Sequence, residues 1–165
     1  MKLVGSRALG LNGERSDYDY VAVDLEKCES YEDVVNEKLG EKSHCYHFSK
    51  AFLERLARYE AGPHELYYIF NPVNYLAGVI DVNPLDYRDA WISLLKQTDF
   101  HQMWFQSQLT KKFKKRFYHV VFNYFALLEN TLHISDEHMA VVRRFHDKVA
   151  TIQEGEDIIN LIKNL

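Results

Sequence analysis

Strand signals in this chain stop near residue 98, and that asymmetry limits the folds open to it. Before that point Lys2-Leu3-Val4, Tyr18 to Leu25 and Lys42 to Phe48 read as strands, with a weaker one between Tyr75 and Val82. Helical spacing is interleaved with them. Ser30 predicts the cap of a short helix through Leu39, and Ser49 the cap of a helix over Lys50 to Ala61, stopped by Gly62-Pro63. Leu66 to Phe70 is ambiguous, and Pro84 opens a helix to about Gln97. From Asp99 onward every segment reads as helix. His101 to Asn130 lacks Gly and Pro, Ser135 predicts a helix through Ile152, and a last helix is expected after Gly155. Strands gathered ahead of helices predict an α+β protein, with a small sheet in residues 1–98 and a helical extension over 99–165.

Composition excludes several classes. With 165 residues, 47% apolar and 27% charged, the chain can bury about 70% of its unfolded surface without a disulfide or structural metal. An aromatic share of 14% argues against disorder. A formal net charge of −4 argues against a general polyanion binder, although Lys111 to Arg116 packs five cations into six positions. Cys28 and Cys45 have neither metal nor redox spacing. Without a leader-like segment or a long apolar run, they read as reduced thiols of a cytoplasmic protein that needs no membrane.

The chemistry gathers in the first twenty residues. Gly5-Ser6 leaves the first apolar segment, and Asp17 and Asp19 follow after ten intervening residues. Two strand residues two apart point to one face, with Cα atoms roughly 7 Å apart, so both carboxylates can share a divalent cation. Gly5 leaves room for close backbone approach, and Ser6 adds a hydroxyl suited to a phosphate. Arg7 reads either as a phosphate partner or as a salt bridge to Glu14 or Asp17. Gly10 and Gly13 serve loop geometry, and no Gly-Lys-Ser/Thr follows to suggest a P-loop.

Gly-Ser, about ten residues, then apolar-flanked Asp-x-Asp resembles the signature of the polymerase-β-like nucleotidyltransferase superfamily. More narrowly, Gly5-Ser6-Arg7-Ala8-Leu9-Gly10-Leu11 with Ser16-Asp17-Tyr18-Asp19 is similar to the predicted nucleotidyltransferases of bacteria and phages. Weaker matches are Ser49 to Leu53, Gly62 to Leu66, Phe70-Asn71-Pro72 and Lys115-Arg116-Phe117-Tyr118-His119. The resemblance implies a mixed sheet with helices and transfer of an NMP from an NTP to a hydroxyl of an RNA, protein or small-molecule acceptor. It implies Mg²⁺, or Mn²⁺, held by Asp17 and Asp19, and nucleotide contacts from Gly5, Ser6, Arg7, Lys115 and His119. Against it, the Lys111 to Arg116 run also reads as a solvated helix face, with Phe113 and Phe117 turned inward.

One departure stands out. Relatives bring a third acid from the strand that here reads Lys42-Ser43-His44-Cys45-Tyr46-His47. His44 or His47 would suit Mn²⁺ better than Mg²⁺, and Asp81 is either a substitute from a later strand or a turn residue before Asn83-Pro84. A lost third acid implies the alternative, a catalytically impaired relative that binds nucleotide or a partner in an antitoxin-like or regulatory role.

Overall fold

The computed structural model describes residues 2–14, 16–23, 33–35, 43–60, 75–109 and 117–165, with backbone alone at 33–35, 44, 46 and 106–109. The protein is α+β. Its described residues through Pro84 form one compact unit, and those from Leu85 onward a second.

The first unit holds strands β1 (Lys2–Val4), β2 (Tyr18–Val23), β3 (Asp33–Val35) and β4 (Ser43–Phe48), with helices α1 (Gly5–Ala8) and α2 (Lys50–Ala57). The sheet order is β1-β2-β4-β3, mixed because β2 and β4 run parallel while the outer pairs are antiparallel. β3 replaces part of the helix expected from Ser30 to Leu39. Val34 and Val35 are β-branched residues that fit a pleated strand, and β4 offers them a ladder. The rest of that segment lies outside the described residues, as does Leu66 to Phe70. No strand forms over 75–82, where one helical turn leads into bends.

Ser49 caps α2 as expected, its Oγ accepting from the Phe52 N–H at 3.1 Å. The helix ends at Ala57 rather than Ala61, because Tyr59 takes a left-handed φ of 58°. Phe52, Leu53 and Leu56 line its buried face, and the Phe52 ring stacks on Phe48 with centroids 5.4 Å apart.

A 3₁₀ turn at Pro84–Tyr87 leads into the second unit, which holds α3 (Arg88–Gln97), α4 (Phe100–Leu109), α5 (Phe117–Glu129), α6 (Asp136–His146) and α7 (Ile152–Lys163). All eleven residues from Phe117 to Leu127 are buried, so α5 is wrapped on every side. Antiparallel α6 meets it through Phe117 against Phe145 and Phe125 stacked on His138. Trp104 of α4 completes an aromatic cluster, 4.7 Å from Phe117 and 5.8 Å from Phe145 between centroids.

Two helix ends differ from the expectation. α6 stops at His146 instead of Ile152, since Lys148 turns left-handed at φ 64° and the Val149 N–H bonds back to the Arg144 carbonyl. α7 begins before Gly155 rather than after it. Thr151 and Glu154 form a reciprocal capping box there, and each satisfies an N–H that a helix start leaves open. Gly155 sits inside the helix because an added Cβ would fall within the Trp104 indole. Arg144 joins α6 to α7 by gripping both Glu154 oxygens at 3.0 and 3.2 Å, which with the Thr151 bonds holds that carboxyl down at about 2. At the other end of α6, bonds from His138 and Ser135 lower the Glu129 carboxyl.

Candidate functional site

β1 delivers the Gly-Ser turn and β2 the acids. Val4 pairs with Asp19 in the antiparallel register, so the residue after Val4 lies beside the start of β2. Gly5 turns the chain from strand to helix at φ +71°, a conformation that costs other L-residues about 1–2 kcal/mol. A Cβ there would also stand 2.7 Å from Asp19 Oδ2. Glycine is therefore required twice, by the backbone and by the carboxylate packed against it.

Ser6 is 2% exposed, and its Oγ has no hydrogen-bond partner among the described residues. Its carbonyl accepts from the Leu11 N–H at 2.8 Å, which closes the loop over the buried Leu11 side chain. Farther on, the Ser16 hydroxyl accepts from the Gly13 N–H at 3.0 Å.

Asp17 lies one residue before β2 and Asp19 within it. Tyr18 and Tyr20 occupy the alternate face, with rings stacked 6.3 Å apart. Arg7 reaches the β2 approach from α1. Its Nε donates to the Ser16 and Asp17 carbonyls, each at 3.2 Å, and its Nη2 to Ser16 at 2.6 Å. Its guanidinium carbon stands 3.7 Å from the Tyr18 ring centroid. In the sequence Tyr18 is marked only as a strand residue and an aromatic between two acids, with no site role attached.

The strand expected to bring the third acid is β4, and it does flank β2. Asp19 has His44 as its register partner, and Ala22 has His47. Asp19 and Ala22 are three residues apart in one strand, so they face opposite sides of the sheet, and His47 lies away from Asp19. His47 is thereby removed as a substitute ligand. Asp81 is no substitute either. Its side chain is 89% exposed in a bend, 3.6 Å from Lys50 Nζ, as expected of a turn residue. Among the described residues no group of three or more His, Cys, Asp or Glu is arranged to hold a metal ion.

His119 belongs to the helical unit, where it is 5% exposed with its ring centroid 3.8 Å from that of Tyr118. Lys115 and the basic run lie outside the described residues. No described helix is long and apolar enough to cross a membrane. Comparison of the chain with protein-family models, with curated proteins and with solved structures finds no match.

Proposed function

We propose that the Gly5-Ser6 turn with Asp17 and Asp19 is the site of a metal-dependent nucleotidyltransferase, moving an NMP from an NTP to a hydroxyl of an RNA, protein or small molecule. The observation that carries this reading is the Asp19 carboxylate packed on the Gly5 backbone, with the following residue, Ser6, burying a hydroxyl that has no hydrogen-bond partner among the described residues. Burying an unbonded polar group costs about 1–3 kcal/mol, and a phosphate oxygen at the turn would supply the bond. Two carboxylates beside a phosphate would repel it unless a divalent cation stood between them. Oxygen donors of this kind suit Mg²⁺ or Mn²⁺, which would neutralise phosphate charge and polarise the reacting phosphorus centre.

In this reading Asp17 and Asp19 hold the cation, and Ser6 orients the terminal phosphates. The acceptor oxygen bonds to the α-phosphorus as the bond to pyrophosphate breaks, and the hydroxyl proton passes to solvent or a nearby base. Purified protein with each NTP and Mg²⁺ or Mn²⁺ is expected to release pyrophosphate, and Asp19→Asn to abolish that release. Absence of both binding and turnover with every NTP would defeat the proposal.

A second reading has its own support. The register neighbour of Asp19 on β4 is His44 rather than an acid. That favours a protein that binds nucleotide without transferring it. NTP binding without pyrophosphate release, under both metals, would select this reading.

A further inference from the structure

Arg7 follows the Gly5-Ser6 turn directly, and the nucleotidyl reading first suggests a phosphate for it. Its surroundings point elsewhere. Three hydrogen bonds, at 2.6, 3.2 and 3.2 Å, direct the guanidinium to the carbonyls of Ser16 and Asp17. The same group lies over the Tyr18 ring at 3.7 Å, within reach of a cation–π attraction. Successive strand residues face opposite sides. A guanidinium over Tyr18 is therefore on the side of β2 away from Asp19.

We infer that Arg7 is a positioning residue, which sets the acid pair by clamping the backbone that enters β2 and makes no contact with nucleotide. This rests on the metal-nucleotide reading of Asp17 and Asp19. Asp17 lies one residue before β2, and the Arg7 guanidinium restrains its carbonyl together with that of Ser16. Arg7 supplies that restraint from α1, the element that also carries Gly5 and Ser6. One planar fork thus ties the turn to the acids. Lysine lacks both features, because its ammonium has no planar face to stack on Tyr18 and no fixed Nε/Nη2 fork.

The test measures Mn²⁺ binding by electron paramagnetic resonance on the purified full chain, without nucleotide, for wild type, Arg7→Lys, Tyr18→Leu and Tyr18→Phe. Loss of a group that orients metal ligands typically weakens affinity about 10- to 100-fold. That loss is expected for Arg7→Lys, a smaller one for Tyr18→Leu, and none for Tyr18→Phe, which keeps the ring. Amide exchange at Asp17 and Tyr18 should quicken in Arg7→Lys, while the melting temperature stays near wild type. With saturating Mn²⁺, the preference for ATP over AMP should not change.

Unaltered Mn²⁺ affinity in both Arg7→Lys and Tyr18→Leu would overturn the inference and leave the metal-nucleotide reading standing. So would unchanged Mn²⁺ affinity with a selective loss of ATP over AMP, which identifies a phosphate ligand. A uniform fall in melting temperature that accounts for the whole Mn²⁺ effect would make Arg7 merely structural and overturn it too. Absence of Mn²⁺ binding in wild type would overturn the metal-nucleotide reading and this inference together.

Discussion

Gly5 concentrates the strongest residue-level constraint. Its φ of +71° and the 2.7 Å approach of Asp19 Oδ2 to an added Cβ act together. Gly5→Ala is expected to lower the melting temperature by roughly 2–8 °C, from about 1–2 kcal/mol of backbone strain plus displacement of the carboxylate. A circular-dichroism melt checks it, and a wild-type midpoint would contradict the geometry. The glycine, the serine and the two acids were visible as residue types at a spacing. The carboxylate against the Gly5 backbone was not, because it depends on Val4 pairing with Asp19 across two strands. Arg7 shows the same limit. Its sequence neighbours suggested a phosphate or the Glu14 or Asp17 side chain, yet its donors reach main-chain carbonyls, which every residue carries and no sequence pattern marks.

Among the elements, α7 reads against ordinary propensity. Alanine normally stabilises a helix interior relative to glycine by about 1 kcal/mol. Gly155→Ala should do the reverse, because its Cβ meets the Trp104 indole that Phe117 and Phe145 hold from other sides. A loss of about 1–3 kcal/mol is expected, with a red shift in tryptophan emission as the buried Trp104 gives way. Added stability would refute the close approach. The start of α7 also carries a pH dependence. Glu154 falls from an ordinary value of 4.5 to about 2 in the fold, so its contribution is complete above about pH 4.5 and fades as pH drops toward 2. Arg144 and Glu154 are 48% and 35% exposed, so solvent and salt weaken the pair. Glu154→Gln should flatten the acid limb of a stability–pH curve over that window, more at low salt than at high. An unchanged acid limb would show that the bidentate grip contributes nothing. The sequence carries the pair as Thr151-x-x-Glu154, a start signal that an expectation built on Gly155 does not use.

At the scale of the whole molecule, a ligand that binds only the native chain raises its stability by mass action. Mg²⁺ with NTP at a hundredfold excess over Kd should add about 3 kcal/mol. Asp19→Asn should remove most of the resulting upward melt shift, and equal shifts in both proteins would count against the acid pair as the site. Both tryptophans, Trp91 and Trp104, belong to the second unit, whereas the acids belong to the first. Tryptophan emission therefore reports the helical unit directly, and circular dichroism is the better readout of the ligand effect. The α+β class, the strand-rich first part, the helical second part, and a Gly-Ser turn spaced from two acids were legible along the chain. These follow from periodicity, turn chemistry and residue type, all local along the chain. The fold in three dimensions set the rest: β4 lies parallel to β2 with His44 beside Asp19 in register, His47 faces away, Asp81 is a surface partner of Lys50, and Arg7 clamps main chain over Tyr18. Those facts depend on strand register and on contacts between distant segments, where a shift of one residue reverses the face on which every side chain stands.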